Sequence, residues 1–150
     1  MTEMTCVAPD ARITPGCTGM YKPEHVTAWR RIVDFIHREG LAKVCLQLGH
    51  AGPKGSTKVP WLGEDVPLDD GNWPLVAPSA IRYAPQLPVP REMSREDMDH
   101  VREQFAAAAR MGAECGFDML ELHCAHGYLL SASITPLSNQ RRDAYGGSLD

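Results

Sequence analysis

No pair of cysteines stands at C-x-x-C spacing, and the five present, Cys6, Cys17, Cys45, Cys115 and Cys124, are an odd number. That pattern argues against a disulfide scaffold and against a structural zinc site, and it suits free thiols in a reducing, cytoplasmic setting. Apolar runs are short: none approaches the roughly 20 residues needed to span a bilayer, so no membrane partner is expected. The opening stretch MTEMTCVAPD has neither the basic nor the apolar segment of a signal peptide. Positive charge is not in excess, since 15 Lys and Arg face 19 Asp and Glu for a net charge of −4, and a nucleic-acid partner is not expected. Internal repeats and low-complexity tracts are lacking too. So is a G-x-G-x-x-G turn opening a helix, which disfavours dinucleotide binding through that motif.

What is present is enough chain for one domain with a real core, with 43% apolar and 23% charged residues. Thr2 to Val7 reads as the tail of a strand, followed by a turn-rich stretch with Pro9, Pro15, Gly16 and Gly19. Spacing predicts a helix over Pro23 to Glu39. Pro23 suits its first turn, Val26, Trp29, Val33 and Ile36 form its stripe with Ile32 widening it, and Gly40 fits the position after its end. Lys43 to Leu48 alternates as a short strand ending in a Gly-rich loop. From Ala51 to about Met93 runs a long loop insertion rich in Pro, Gly, Trp and Asp. A structureless loop of this length is suspect, and short strands or a hairpin are expected near Leu75 to Ile81. A second helix starts at the N-cap Ser94, with Glu96 and Asp97 in its first turn. Met98, Val101, Phe105, Ala108 and Met111 form its buried stripe, and Gly116 ends it. Phe117 to His123 reads as a further strand. Alternation of this kind implies an α/β fold with a parallel sheet, and ligands then gather at the C-terminal ends of the strands.

Unusual polar residues fall at those ends. His123 and His126 lie three apart, followed by Gly127 and Tyr128. In a continuing strand residues i and i+3 face opposite ways, so the two imidazoles converge only if the chain breaks, and Gly127 permits a break. Converging, they would clamp an oxygen that gains negative charge. Ordinary histidines at a loop entry and a zinc pair lacking its third ligand are the other readings the residues leave open. Tyr128 is either a general acid or an amphipathic wall residue. Gln47, a polar residue inside an apolar strand, needs partners that a flavin pyrimidine ring or the backbone would supply equally. The tail carries Asn139, Arg141, Arg142, Asp143 and Tyr145, read as braces for the loop that holds the histidines.

Taken together, Q-L-G-H-A-G (Gln47 to Gly52), E-L-H-C-A-H-G-Y-L-L (Glu121 to Leu130) and P-L-S-N-Q-R-R-D-A-Y-G-G-S (Pro136 to Ser148) resemble the Old Yellow Enzyme family of NAD(P)H:flavin oxidoreductases. TEMTCVAPDARITPGCTGMY and GNWPLVAPSAI look most like the flavin-reductase half of bifunctional aromatic-acyl-CoA hydroxylase/oxidoreductases, such as salicylyl-CoA 5-hydroxylase. The resemblance implies a TIM barrel carrying FMN, reduced by NAD(P)H. It implies Gln47 on the flavin pyrimidine edge, the Met4 backbone near the isoalloxazine, and His123 and His126 on a substrate carbonyl oxygen above the flavin. Tyr128 would be the proton donor to the substrate α-carbon, and His50 would be structural. The implied substrate is a small enone or enoyl-thioester, and no metal ligands are assigned. The rival enzyme is a metal-dependent hydrolase on a similar barrel, with His123 and His126 as ligands; an inactive fragment is the third reading.

Two positions depart from the family's pattern. Pro53 stands where many members have arginine, and Ser133 where an aromatic residue is common. Length departs as well. A complete barrel takes roughly 250 residues, so residues 1–150 are expected to hold only the N-terminal part of the FMN-binding domain. That part corresponds to a partial TIM (β/α)8 barrel of roughly the second to fourth βα units. Such a portion is expected to bind FMN weakly or not at all on its own, and a monooxygenase or iron–sulfur domain would lie outside it.

Overall fold

The computed structural model describes residues 1–147. Three parallel strands form the sheet in the order β1 (Thr5–Cys6), β2 (Cys45–Gly49), β5 (Met119–Leu122). Register runs Thr5 to Leu48 on one side of β2, and Leu46 to Leu120 and Gln47 to Glu121 on the other. The connections are α1 (Pro23–Glu39) and α2 (Arg95–Cys115). The strand expected over Thr2 to Val7 shrinks to the two residues that pair with β2.

Both helix starts follow from sequence chemistry. Pro23 opens α1 without a side-chain cap. Ser94 and Asp97 close a reciprocal capping box: the Asp97 N–H donates to Ser94 Oγ at 3.1 Å, and the Ser94 N–H donates to Asp97 Oδ2 at 2.7 Å. Arg91 grips the same carboxylate with two guanidinium bonds, holding the Asp97 carboxyl well below the usual range. Gly116 ends α2 in the left-handed region at φ 86°, the Phe117 N–H bonding back to the Gly112 carbonyl. Gly40 behaves otherwise: it is extended at φ −159°, so α1 ends without the left-handed cap its glycine suggested.

The helices cover the sheet face that carries Leu46 and Leu48. A Cβ at Gly112 would come within 2.6 Å of Leu46 Cδ2, so α2 lies as close to β2 as a missing side chain allows. Val26, Ala108 and Cys115 join Leu46, Leu48 and Cys6 in one core. Of the expected α1 stripe, Val26 and Val33 are buried, Trp29 and Ile36 half-buried and Ile32 exposed. Arg30 ties the helices together through the Glu114 carbonyl and carboxylate.

The segment after Ala51 is not structureless. It contains 3-10 turns at Gly52–Lys54 and Pro60–Leu62, and β3 (Val76–Ala77) pairs with β4 (Arg91–Glu92). β3 is a short strand of the kind expected near Leu75 to Ile81, and because its pairing is parallel the alternative of a hairpin gives way to a wide loop returning alongside itself. A short helix, α3 (Leu129–Ile134), follows the histidines and was not expected. No helix among the described residues is long and apolar enough to cross a membrane.

Candidate active site

One face of the sheet, opposite the helices, carries Gln47 and Gly49 on β2 and Glu121 on β5. His123 follows in register, its N–H donating to the Leu48 carbonyl at 2.9 Å. The chain then leaves the sheet. Ala125 to Tyr128 closes a turn through the Tyr128 N–H and the Ala125 carbonyl at 3.2 Å, with His126 at φ 58° and Gly127 at φ 73°. Two consecutive left-handed residues reverse the chain as a primed turn does. Position 127 requires glycine twice over, by its φ and because a Cβ there would meet Tyr83 Cε2 at 2.6 Å.

This turn brings the side chains together. The His123 and His126 rings are 5.0 Å apart between centroids, His123 and Tyr128 4.9 Å, and His126 and Tyr128 6.2 Å, all edge-on. His123 Nδ1 accepts the Ala125 N–H at 3.2 Å, which leaves the proton of the neutral ring on Nε2 as a free donor. Burial, and then the neighbouring His126, lower the His123 pKa and favour that neutral form. Burial raises the Tyr128 pKa, so the phenol keeps its proton.

Lys54, which the sequence did not single out, is a neighbour of this cluster. Its Nζ lies 4.3 Å from the Tyr83 ring centroid and 5.4 Å from that of Tyr128. Burial pulls the Lys54 pKa down, but the hydrogen bond to Tyr83 and the charges around it outweigh this, and the ammonium is retained. The loop after β2 carries it there by packing against α3: a Cβ at Gly52 would touch Leu129 Cα at 2.9 Å, and the Leu129 N–H donates to the His50 carbonyl at 3.0 Å. Pro53 is buried in this loop. His50 is buried and accepts the Gly52 N–H on Nδ1 at 3.0 Å, and burial pushes its pKa down to about 4.

Met4 and Gln47 lie on the floor beside this cluster. Met4 packs over Gly49, where a Cβ would meet Met4 Cγ at 2.5 Å and His123 Cβ at 3.5 Å. Gln47 Nε2 donates to Glu121 Oε1 at 2.6 Å. Glu121 was also passed over, although its place two residues before His123 on a strand puts both on one face. Gln47 Nε2 also lies 3.8 Å from the Met1 sulfur, so at this open face the Gln47 amide oxygen is the atom left without a partner among the described residues, an acceptor for a flavin pyrimidine N–H. Gly49 removes the side chain that would separate Met4 from His123. Among the described residues no group of three His, Cys, Asp or Glu gathers to hold a metal ion.

The tail braces a neighbouring part of the structure. Arg141 donates to the Pro78 and Met93 carbonyls at 3.1 and 2.7 Å and pairs with Asp143. Asn139 donates to the Ser133 and Tyr145 carbonyls. These contacts fix β3, β4 and the end of α3 and touch the histidine turn only through α3. Ser148 lies outside the described residues. An apolar groove of about 450 Å³ between α2 and α3, lined by Met98, Phe105, Leu122 and Leu129, opens without the imidazoles or Tyr128 in its walls.

The sequence model of the NADH:flavin oxidoreductase / NADH oxidase family matches residues 1–150. An NADH:flavin oxidoreductase of Gibberella zeae is 41% identical over 100% of this chain and 37% of its own length. An NADPH dehydrogenase of Bacillus subtilis is 36% identical over 99% of this chain and 39% of its own. The crystal structure of Old Yellow Enzyme from Pichia sp. AKU4542 superposes with a TM-score of 0.80 at 30% identity, covering 98% of this chain and 38% of that one. The chain thus spans about two fifths of the length of the relatives it matches. Membership of this family implies FMN as cofactor and NAD(P)H as reductant. Over its whole length, the chain belongs to the NADH:flavin oxidoreductase / NADH oxidase family, the family of Old Yellow Enzyme.

Proposed function

We propose that this chain contributes the substrate-polarising part of an FMN-dependent NAD(P)H oxidoreductase that reduces a C=C bond conjugated to a carbonyl. The convergence of His123, His126 and Tyr128 over the face that carries Gln47 is the observation that supports it. FMN, when bound, supplies the two-electron relay between NAD(P)H and the alkene. His123 offers its Nε2–H, and with His126 it holds the substrate carbonyl oxygen, stabilising the charge that gathers there during reduction. Tyr128 delivers a proton to the α-carbon, and Lys54 beside it stabilises the phenolate left behind. Gln47 binds the pyrimidine edge and Met4 bounds the floor.

Two finer readings go with it. The substrate is a small enone or an enoyl-thioester, and an aromatic-derived acyl-CoA suits the sequence likeness of the first twenty residues. β1, β2 and β5 with their helices are consecutive units, roughly the second to fourth, of a (β/α)8 barrel. Parallel strands in chain order, with α1 and α2 on one face, support that placement.

The test is NADPH consumption with added FMN and 2-cyclohexenone. His123→Ala and His126→Ala should each lower enone-dependent turnover by about 10²–10³, the effect of losing one oxyanion donor. Turnover that survives both substitutions, or that never depends on the enone, would overturn the reading.

A further inference from the structure

We propose that Lys54 is an anion subsite beside the histidine turn, and that the preferred substrates are enones carrying a carboxylate near the α-carbon. The proposal deepens the reading above and rests on it for the placement of the carbonyl oxygen and the α-carbon.

Lys54 emerges from a tightly packed loop. Its 3-10 turn is closed by the Lys54 N–H on the Ala51 carbonyl at 3.2 Å and by the Gly55 N–H on the Gly52 carbonyl at 3.3 Å. Residues 51–53 and 55–57 are buried, and Lys54 between them is half-buried. Its Nζ rests 4.3 Å from the Tyr83 ring centroid and 5.4 Å from that of Tyr128. Tyr83 is itself pressed against Gly127, so the loop, the turn and both rings hold the ammonium in one place. Aromatic faces attract a cation through their quadrupole but do not neutralise it.

Other lysines in this chain are neutralised by acids. Lys43 ends on Asp118 and Lys58 on Asp69, each within 3 Å. Among the described residues no carboxylate is in ion-pair contact with Lys54, and the charge of Asp65 reaches it only from farther off. A cation whose side chain is already ordered, and which still lacks its acid, is prepared for one that a ligand brings. Little rotamer freedom remains to be lost on binding, and the bond formed is charge-assisted.

Position decides which ligand group Lys54 meets. Tyr128 is the neighbour common to Lys54 and His123. With the carbonyl oxygen at the imidazoles and the α-carbon at Tyr128, a substituent on the α-carbon is the one nearest to Lys54. The plain alternative is a lysine whose stem only covers two rings, and the charge of the ligand would then make no difference.

The probes are 2-carboxymethyl-2-cyclohexenone and its methyl ester, which differ in charge and little in shape. Each is titrated into the full chain and its affinity read by ligand-observed NMR. At low ionic strength the acid should bind about tenfold more tightly than the ester, and salt should erode that advantage. Lys54→Met keeps most of the stem and removes the charge; it should bring the acid-to-ester ratio to about 1. The ratio is read because this change also touches Tyr128 and alters both ligands' turnover. Wild-type chain decides the matter even if the variant misfolds. After reductive methylation with isotope-labelled formaldehyde, which retains the charge, the acid should move the Lys54 signal and leave those of Lys22, Lys43 and Lys58 in place, and the ester should move none. An acid that binds no better than its ester, or a preference that survives Lys54→Met, would overturn the subsite, whatever the turnover of 2-cyclohexenone. An acid preference that depends on Lys54 in a chain that never reduces enones would instead overturn the proposed reaction and leave the subsite standing.

Discussion

β2 and β5 are adjacent strands written in nearly the same pattern, Cys45-Leu46-Gln47-Leu48 beside Met119-Leu120-Glu121-Leu122, and paired residue for residue. Their fates differ. Leu46 and Leu48 are 0% exposed, whereas Leu120 and Leu122, which point to the same side, are 48% and 50% exposed. β2 has a strand on either side and α2 pressed against it through Gly112, while β5 has β2 on one side alone among the described residues. An alternating pattern therefore states which face of a strand is apolar, and the neighbours decide whether that face is dry. Where the apolar face of β5 stays open, burial contributes about half of what it contributes in β2.

Truncating the paired leucines breaks this comparison most sharply. Leu46→Ala should cost about 2–5 kcal/mol, since it removes a fully enclosed side chain and leaves a hole against Gly112. Leu120→Ala should cost about 1 kcal/mol or less, because half its surface already meets water. Urea midpoints of the two variants check it. Equal losses would mean that something covers β5 in solution.

The loops that follow these strands use one device in two environments. His50 Nδ1 accepts the Gly52 N–H, and His123 Nδ1 accepts the Ala125 N–H, each two residues on. His50 is sealed under the core and its pKa falls to about 4, whereas His123 stays open toward the site. A histidine whose folded pKa lies below its unfolded value of about 6.5 binds more protons when unfolded. Stability attached to His50 is thus complete above about pH 6.5 and is lost as pH falls to about 4, at roughly 1.4 kcal/mol per pH unit inside that window. His50→Asn places an amide oxygen near the Nδ1 position without a titratable ring. The stability gap between the two proteins should shrink across that window, as followed by urea unfolding at stepped pH. A gap independent of pH would mean His50 is solvated in the folded state.

How much of this was legible follows the range of the interactions. α2 announced itself at both ends, because Ser94 acts on Asp97 three residues on, and Gly116 closes on Ala113 and Gly112 just before it. The gathering of His123, His126 and Tyr128 was readable for the same reason: a glycine after a histidine is enough to turn a strand. Lys54 was not readable as a site residue, since its place above Tyr83 and Tyr128 depends on two loops that meet only in the fold. α3 escaped because LLSASI has no side-chain cap and is short; its packing on Gly52 supports it. The parallel match of Val76–Ala77 with Arg91–Glu92 has no local turn signal at all.

Gly127 tests whether the turn alone assembles the site. Gly127→Ala should cost about 1–2 kcal/mol for the left-handed backbone, and the methyl must also displace the Tyr83 ring. Because Tyr83 also holds Lys54, turnover should fall further than stability does. Comparing enone turnover with the urea midpoint of the same variant separates the two losses. A fall in stability without any change in turnover would mean that Tyr83 and Lys54 stand outside the reaction.

The smallest effect on the fold belongs to a side-chain hydrogen bond between β2 and β5, the Gln47 amide on the Glu121 carboxylate. It lies on an open face, and a cross-strand pair there contributes roughly 0.2–1 kcal/mol. Gln47→Leu should therefore barely move the urea midpoint. On the proposed reading it should nonetheless weaken FMN binding, measured as quenching of flavin fluorescence, because leucine offers neither the donor nor the acceptor that a pyrimidine edge requires. Binding left intact by that change would place the flavin away from β2, and the polar residue in an apolar strand would then serve only to partner Glu121.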